Sequence, residues 1–377
     1  MSASGSVATA GVAADRGFME LALSLGRRGL GRTWPNPAVG AVIVKDGEIV
    51  GRGWTQPGGR PHAEVEALRR AGAMARRATL YVTLEPCSHH GKSPPCADAV
   101  IASGIARVVS AMEDPNPEVA GRGHARLRSA GIGVDVGIEV ATARRDHAGH
   151  IRRMRDGRPH VTLKLAISAD GKAAGAGRQR VAISGNAVRD RVHLMRARSD
   201  AIMIGVGTAL ADDPVLTCRL PGMAKMSPTR VVLDAGLRLP IQSRLVATAG
   251  ETPLWIIGGE GAPAASETAA RQCGVEVLLV AEKQGRLDLR AVLSLLAKRG
   301  ITRLMIEGGP TVASALIEAD LVDEAIFFHS PLVIGQEGLS ALEPRPAQLL
   351  RQHLERVSSE PVGPDRQETY ERGSDHV

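Results

Sequence analysis

Aromatic residues are scarce in this sequence. Trp, Tyr and Phe together make up 2% of its 377 residues. Proteins that bind single-stranded nucleic acid stack the bases on aromatic side chains, so no nucleic-acid partner is expected, although the formal net charge is +7. The positive charge suits an anionic small molecule, such as a phosphorylated metabolite, better.

Cysteine is also scarce, and long hydrophobic segments are absent. The four cysteines are too few and too scattered for a disulfide framework, which is typical of proteins in a reducing cytoplasm. No apolar run approaches the roughly eighteen residues of a membrane span. Residues 1–14 lack the charged start and apolar segment of a signal peptide. We therefore expect a cytoplasmic protein without membrane contact.

The apolar content is ample for folded domains. Hydrophobic residues make up 44% of the chain, whose length suits two domains of ordinary size better than one. Predicted strands and helices alternate along both halves, which is typical of α/β domains. The arginine-rich residues 143–159 are interpreted as a basic helix that leads into a linker. The predicted domains are residues 15–150 and residues 158–372.

The segment from His62 to Cys96 carries the main candidate site. His62 and Glu64 directly follow a proline, which places both in the predicted first turn of a helix. Cys87 follows a predicted strand over residues 78–84, and eight residues separate Cys87 from Cys96. One imidazole and two thiolates can hold zinc tetrahedrally and leave a fourth position for water. His62, Cys87 and Cys96 are therefore the predicted zinc ligands, and Glu64 is the predicted catalytic proton carrier rather than a ligand.

Other interpretations of this segment stay open. The main alternative is a structural zinc, although three protein ligands leave one position free. His89 and His90 lie in the loop between the two thiols and could compete as ligands. At least one of these two histidines is expected to face a substrate instead.

The second half has two candidate sites of weaker pattern. A predicted strand over residues 303–306 stops at Gly308-Gly309, and Pro310 opens a helix, so that free backbone N–H groups could hold a pyrophosphate. No Gly-x-Gly-x-x-Gly fingerprint supports this interpretation. Asp212 and Asp213 flank a proline turn, where paired aspartates more often form the turn than bind a metal.

Longer motifs in both halves resemble one known family, the bifunctional riboflavin-biosynthesis deaminase/reductases. In the first half these are Pro35-Asn36-Pro37-x-Val39-Gly40, the run Pro86-Cys87-Ser88-His89-His90-Gly91-Lys92-Ser93-Pro94-Pro95-Cys96, and Asp114-Pro115-Asn116-Pro117. In the second half they are Lys164-Leu165-Ala166-x-Ser168-x-Asp170-Gly171-Lys172, Gly207-Thr208-x-Leu210-Ala211-Asp212-Asp213-Pro214-x-Leu216-Thr217-x-Arg219, and Glu307-Gly308-Gly309-Pro310-Thr311.

The resemblance implies a fold and two reactions. The fold is an α/β one, with a cytidine-deaminase-like α/β/α domain followed by a dihydrofolate-reductase-like α/β domain. The first reaction is zinc-dependent hydrolytic deamination of 2,5-diamino-6-(5-phosphoribosylamino)pyrimidin-4(3H)-one, a phosphorylated pyrimidine. The second is NADPH-dependent reduction of the ribosyl chain to give 5-amino-6-(5-phosphoribitylamino)uracil. A homodimer or higher homo-oligomer is the family expectation.

The resemblance also implies roles for individual residues. In the first half the substrate contacts are Asn36, His89 and Lys92, and Lys92 would meet the phosphate. Leu216, Arg219 and Glu307 would contact the substrate in the second half, Arg219 at its phosphate, because a guanidinium grips phosphate through two hydrogen bonds. The implied NADPH contacts are Ala166, Thr208, Asp212, Gly309, Pro310, Thr311, Val312, Ala313, Ser314 and Ala315.

One segment departs from the family pattern. Residues 179–184 read Gln-Arg-Val-Ala-Ile-Ser where the family usually has a Trp-Ile-Thr-like run, and neither Gln179 nor Val181 is given a role. An alternative is therefore a deaminase whose second domain is inactive or regulatory. A second alternative, a deaminase of RNA, is opposed by the few aromatics and by the long spacing between the cysteines, since cytidine and transfer-RNA deaminases have Cys-x-x-Cys.

Overall fold

The computed structural model describes residues 3–89, 93–117 and 119–373. The chain divides into two compact units, Met1–Asp156 and Gly157–Val377, and each unit is described by itself. No helix in the described part of the chain is long and apolar enough to cross a membrane.

The first unit is built on a five-stranded sheet with the order β2-β1-β3-β4-β5. The strands β1 and β2 form an antiparallel hairpin, β1 pairs antiparallel with β3, and β3, β4 and β5 run parallel. The elements in chain order are α1 (Ala3–Gly26), β1 (Gly40–Lys45), β2 (Glu48–Trp54), α2 (Ala63–Ala71), β3 (Thr79–Val82), α3 (Cys96–Ala102), β4 (Arg107–Ser110), α4 (Arg122–Ser129), β5 (Gly133–Val136), α5 (Val140–Asp146) and α6 (Ala148–Asp156).

Glycine lets β2 approach α2 closely. A Cβ atom added to Gly53 would lie 2.2 Å from the carbonyl oxygen of Ala63, far inside van der Waals contact. Ala63 is the first residue of α2 and stands between His62 and Glu64. The side chain missing at position 53 thus fixes where the beginning of α2 sits on the sheet.

The second unit is built on a nine-stranded sheet with the order β11-β10-β9-β8-β14-β6-β15-β18-β17. In this spatial order, the seven strands from β11 to β15 run parallel to one another. Strand β18 is antiparallel to β15, and β17 is antiparallel to β18. The strands in chain order are β6 (His160–Ile167), β7 (Lys172–Ala174), β8 (Ala201–Gly205), β9 (Thr229–Leu233), β10 (Leu254–Gly259), β11 (Glu276–Val280), β12 (Glu282–Lys283), β13 (Arg286–Leu287), β14 (Arg303–Ile306), β15 (Glu324–His329), β16 (Leu339–Ser340), β17 (Glu355–Val362) and β18 (Asp365–Glu371).

The second unit also contains helices between its strands. They are α7 (Asn186–Ala197), α8 (Val206–Asp212), α9 (Arg244–Ala247), α10 (Ala264–Gln272), α11 (Leu289–Lys298), α12 (Pro310–Glu318) and α13 (Pro344–His353). The central strands consist of buried residues: Ile202, Ile204 and Val232 have no exposed surface. Because β8, β9 and β14 are parallel, their carboxyl ends meet at one edge of the sheet. The residues that follow these three strands form the candidate site of this unit.

Candidate active sites

Three elements of the first unit bring the predicted zinc ligands together. His62 is the N-cap residue of α2, and Cys96 is the first residue of α3. Cys87 follows the carboxyl end of β3. The predicted position of His62 and Glu64 at a helix start is thus found in the structure.

The ligand atoms of these three residues are close enough to share one ion. The Nδ1 atom of His62 lies 3.2 Å from Sγ of Cys96 and 3.7 Å from Sγ of Cys87. All three atoms lie within 4.8 Å of one another. Ligands at tetrahedral zinc distances would be roughly 3.5–3.8 Å apart, so the donor set fits zinc in number, type and spacing.

The two thiols are chemically unequal. Their mutual hydrogen bond, supported by His62, lowers the pKa of Cys87 to about 4. The same hydrogen bond raises the pKa of Cys96. The backbone N–H of Cys96 also donates to Sγ of Cys87 at 3.3 Å. One thiolate is therefore already favoured here, and thiolate is the form in which cysteine binds zinc.

Glu64 lies in the first turn of α2, beside this cluster. It is 3% exposed, and burial raises its pKa to about 7. A carboxyl group with such a pKa can both take up and release a proton near neutral pH. A bound divalent cation would favour the carboxylate, which is the form that accepts a proton.

The residues assigned to substrate in this unit are placed differently from one another. The Nδ2 atom of Asn36 lies 3.2 Å from Nε2 of His62 and donates to the carbonyl of Gly59 at 2.7 Å, so Asn36 touches a predicted ligand directly. His89 is exposed in the loop after Cys87. His90 and Lys92 lie outside the described residues.

Glu85 is a structural residue of this site to which the sequence analysis gave no role. Its buried carboxylate accepts four backbone hydrogen bonds of 2.7–3.1 Å, from Asp114, Gly121, Gly123 and His124. Two residues later the chain reaches Cys87. Glu85 therefore fixes the loop before α4 against the segment that carries this thiol.

In the second unit, α12 begins as predicted. Gly309 is its N-cap residue and Pro310 its first residue. The backbone N–H of Gly309 donates to Oγ1 of Thr208, in α8, at 3.0 Å. The starts of these two helices therefore lie side by side at the carboxyl edge of the sheet.

Three cavities open at this edge, and we name them by their linings. The outer cavity, about 340 Å³, is lined by residues that include Arg178, Gly207, Thr208, Leu233, Arg238, Arg286, Gly309, Thr311, Val312 and Ala315. The middle cavity, about 220 Å³, is lined by residues that include Lys164, Ala166, Arg178, Gly207, Thr208, Asp212, Glu307, Gly309 and Pro310. The arginine cavity, about 390 Å³, is lined by residues that include Arg180, Arg196, Thr208, Asp212, Leu216, Arg219, Arg244 and Glu307.

The cavities form a series because neighbours share lining residues. The outer and middle cavities share Arg178, Gly207, Thr208 and Gly309. The middle and arginine cavities share Thr208, Asp212 and Glu307. An elongated molecule could therefore run from the outer to the middle cavity and end beside a second molecule in the arginine cavity.

Most of the predicted contacts of this unit line the series. Ala166, Thr208, Asp212, Gly309, Pro310, Thr311, Val312 and Ala315 line the outer or middle cavity, and Leu216, Arg219 and Glu307 line the arginine cavity. Ala313 has no exposed surface, and neither it nor Ser314 is among the lining residues.

The arginine cavity contains cations that the sequence analysis did not single out. Arg180, Arg196 and Arg244 join Arg219 on its wall. Arg180 belongs to the segment that departs from the family pattern, whereas Gln179 and Val181 line none of the three cavities. Arg196 is paired with Glu307, but the guanidinium groups of Arg180, Arg219 and Arg244 around one space favour a doubly charged anion such as a phosphate.

Of the paired aspartates, Asp213 fits the turn interpretation, whereas Asp212 lines the middle and arginine cavities. The Oδ1 atom of Asp213 accepts a hydrogen bond from the backbone N–H of Arg244 at 2.8 Å. Asp213 has a left-handed backbone, with φ of 36°, a conformation that aspartate tolerates better than most residues. Asp213 is thus part of the loop that shapes the arginine cavity.

Comparison with known families matches each half of the chain separately. Residues 13–112 match the cytidine and deoxycytidylate deaminase zinc-binding region, and residues 159–367 match the RibD C-terminal domain. The chain is 45% identical over 336 residues to the riboflavin biosynthesis protein RibD of Escherichia coli. The matched region covers 86% of this chain and 89% of that relative.

Solved structures show the same likeness over nearly the full length. RibD of Acinetobacter baumannii is 36% identical and superposes with a TM-score of 0.85, which covers 96% of this chain and 100% of that one. The diaminohydroxyphosphoribosylaminopyrimidine deaminase/5-amino-6-(5-phosphoribosylamino)uracil reductase of Thermotoga maritima is 33% identical, with a TM-score of 0.82 and coverage of 96% and 99%. The predicted fold class, a deaminase-like domain followed by a reductase domain, is confirmed.

Proposed function

The chain belongs to the RibD family of riboflavin biosynthesis proteins, and on this premise we propose where its two activities reside and what they act on. The protein is a bifunctional enzyme, a zinc-dependent deaminase and an NADPH-dependent reductase. The deaminase site is the cluster of His62, Cys87, Cys96 and Glu64. The reductase site is the series of three cavities in the second unit.

The substrates are those that the Thermotoga relative's name specifies. We propose that the first unit deaminates 2,5-diamino-6-(5-phosphoribosylamino)pyrimidin-4(3H)-one. The second unit then reduces the ribosyl chain of the product to give 5-amino-6-(5-phosphoribitylamino)uracil. The phosphate of the reductase substrate suits Arg180, Arg219 and Arg244 of the arginine cavity.

In the deaminase, His62, Cys87 and Cys96 would hold zinc. When bound, zinc supplies the Lewis acidity that makes water a nucleophile near neutral pH. Glu64 accepts a proton from the attacking water at a carboxylate oxygen and returns it to the departing amine. We assign substrate binding to Asn36, next to His62, and to His89 and Lys92, which lie between Cys87 and Cys96 in the sequence.

In the reductase, the middle cavity is the place of reaction. When bound, NADPH would supply a hydride to the anomeric carbon of the ribose in its open-chain imine form, whose C=N double bond becomes a single bond as the nitrogen takes up a proton from water. Thr208 and Gly309 lie where the outer and middle cavities meet, beside the start of α12, whose positive dipole end favours a pyrophosphate. Arg219 and its neighbours hold the substrate phosphate, and Leu216 and Glu307 hold the part of the substrate closer to the cofactor.

Three broader assignments accompany this proposal. The enzyme would work in the cytoplasm, because its zinc site needs free thiols and none of its described cysteines forms a disulfide. The two activities would occupy residues 15–150 and residues 158–372. A homodimer or higher homo-oligomer remains the expectation from the family.

A second domain without activity is not favoured, since its residues 159–367 match the RibD C-terminal domain.

The observation that carries the deaminase assignment is the convergence of one imidazole and two thiols within 4.8 Å. The test is a pair of assays on the full-length protein. Ammonia release is measured from the diaminopyrimidinone without NADPH, and NADPH oxidation is measured with the deaminated aminouracil supplied directly. Removal of zinc with a chelator should abolish the first and leave the second. Loss of both, or of neither, would contradict the assignment of the two activities to separate sites.

A further inference from the structure

Three arginines line the outer cavity, and two of them, Arg238 and Arg286, line neither of the other two cavities. Arg238 follows β9, and Arg286 is the first residue of β13. Both are exposed. Within the described part of the chain, no residue pairs with the guanidinium of Arg286, so this charge is available to a ligand.

The remaining wall of the outer cavity is largely apolar. Val206, Leu233, Leu287, Leu289 and Val312 line it, and together they offer surfaces on which a flat ring can lie. None of the described residues that line this cavity is acidic. The cavity therefore combines an apolar floor with positive charge at three places on its wall, namely Arg238, Arg286 and Arg178, which it shares with the middle cavity.

The orientation of the cofactor follows from what the cavities share. The middle cavity shares Thr208, Asp212 and Glu307 with the arginine cavity, whereas the outer cavity shares only Thr208 with it. The reacting end of the cofactor must lie beside the substrate, hence in the middle cavity. The far end then reaches the outer cavity.

We propose that the outer cavity binds the adenosine of NADPH and that Arg238 and Arg286 bind its 2′-phosphate. This inference rests on the proposed reductase site. The 2′-phosphate is the group that distinguishes NADPH from NADH, and guanidinium groups bind phosphate through paired charge-assisted hydrogen bonds. Enzymes that use NADH place an acidic side chain on the ribose 2′-hydroxyl instead, and the lining of this cavity provides none.

The carboxylate that pairs with Arg238 does not compete for this role. Oδ1 of Asp234 lies 3.7 Å from Nε of Arg238, but the side chain has no exposed surface. Its Oδ2 accepts a hydrogen bond from the backbone N–H of Leu239 at 2.8 Å. Asp234 thus supports the turn after β9 from inside and leaves Arg238, which is 67% exposed, to the cavity.

The test compares the binding of NADP⁺ and NAD⁺ to the full-length protein by isothermal titration calorimetry at one fixed salt concentration. Arg238→Gln and Arg286→Gln should each weaken NADP⁺ binding by about tenfold and change NAD⁺ binding by less than about twofold. Arg345→Gln is the matched control, because Arg345 is an exposed arginine of α13 that lines none of the three cavities. It should change neither affinity.

Each outcome bears on a different statement. An NADP⁺ affinity unchanged in Arg286→Gln overturns the inference, since this variant breaks no contact within the protein. A parallel loss of NADP⁺ and NAD⁺ in both variants also overturns it, because the arginines would then not read the 2′-phosphate. If the wild-type protein binds neither dinucleotide, the proposed reductase site itself fails, and this inference fails with it.

Discussion

Arg196 donates through Nε and Nη2 to both carboxylate oxygens of Glu307, at 2.6 and 2.8 Å. The two side chains are only 11% and 10% exposed. Burial opposes ionisation of Glu307, but the charge and hydrogen bonds of Arg196 outweigh it and lower the pKa of this carboxyl. Glu307 is therefore a fixed negative charge between the middle and arginine cavities.

Glu307→Ala would leave a buried guanidinium without its counter-charge. We expect this change to lower the local free energy of unfolding around β14 by about 3 kcal/mol. Native-state hydrogen exchange of peptides from β14 and α7 measures this quantity locally. The double variant Arg196→Met/Glu307→Leu removes both charges and should recover most of the stability without recovering reduction. Normal exchange protection in Glu307→Ala would contradict the importance of this pair.

Glu64→Gln should separate zinc binding from deamination. The amide cannot carry the proton, so ammonia release should fall by about 10²- to 10⁴-fold. Zinc content, measured by atomic absorption, should stay at the wild-type level, because Glu64 is not among the proposed ligands. Reduction of supplied aminouracil is the internal control. An equal loss of both activities would contradict the proposed division of labour.

Arg219→Ala should discriminate between phosphorylated and dephosphorylated forms of the reductase substrate. A charge-assisted hydrogen bond to phosphate contributes about 1.5–3 kcal/mol, which corresponds to a rise in KM of about 10- to 100-fold for the phosphorylated aminouracil. The dephosphorylated analogue should be affected little. Arg345→Ala provides the control for a general loss of positive charge. Similar KM changes for both forms would show that Arg219 does not meet the phosphate.

The stability of the first unit should depend on pH through His124. This imidazole is 1% exposed, and burial lowers its pKa, with Arg128 acting in the same direction and Glu85 and Glu113 opposing. Histidine in the unfolded chain takes up its proton near pH 6.5, so the unfolded state binds more protons below that pH. The stability contribution is present above about pH 6.5 and is lost as the pH falls toward the lowered folded pKa.

His124→Gln removes this titration. The thermal midpoint of the wild type should fall more steeply between pH 7 and pH 5.5, a window set by the unperturbed histidine pKa, than that of the variant. Differential scanning calorimetry at several pH values, with zinc present throughout, measures both. Comparison of the two proteins cancels the pH dependence of zinc binding. Parallel curves for the two would exclude His124 as the titrating group.

The zinc cluster was the part of the molecule most accessible from sequence. Its ligands lie within 35 positions of one another (62 to 96), and the proline before His62 and the strand before Cys87 indicate where each is placed. The start of α12 was predictable for the same reason, because Gly309-Pro310 is a local signal. Glu85 was not, since the four N–H groups that donate to it belong to the first turn of α4 and the loop before it, about thirty or more residues away, and no local pattern reveals the path of that segment.

The arginine cavity shows the limit of local patterns more clearly. Arg180, Arg196, Arg219 and Arg244 come from loops and helices spread over 65 positions (180 to 244), and only the order of the parallel strands brings them to one place. Residues 355–362 were not predicted as a strand, because β17 is polar, almost fully exposed and interrupted by Pro361. Its pairing with β18, rather than an alternating apolar pattern, makes it a strand.

The first helix also differs from its sequence expectation. The pattern of apolar residues predicts a helix from residue 17, whereas α1 begins at Ala3. The added stretch contains no proline, and alanine, its commonest residue, favours helix more than any other. Periodicity marks the part of a helix that packs on a core, and it does not report how far the helix continues beyond that part.

The close packing of α2 on Gly53 makes the first activity sensitive to a residue outside the proposed set of zinc ligands and substrate contacts. A methyl group there would collide with the peptide that joins His62 to Glu64, so the imidazole and the carboxylate would be displaced together. A mutation that replaces Gly53 by a residue with a side chain would therefore abolish ammonia release. Reduction of the aminouracil, which is assigned to the other unit, would continue. A cell carrying such an allele would accumulate the unprocessed diaminopyrimidinone.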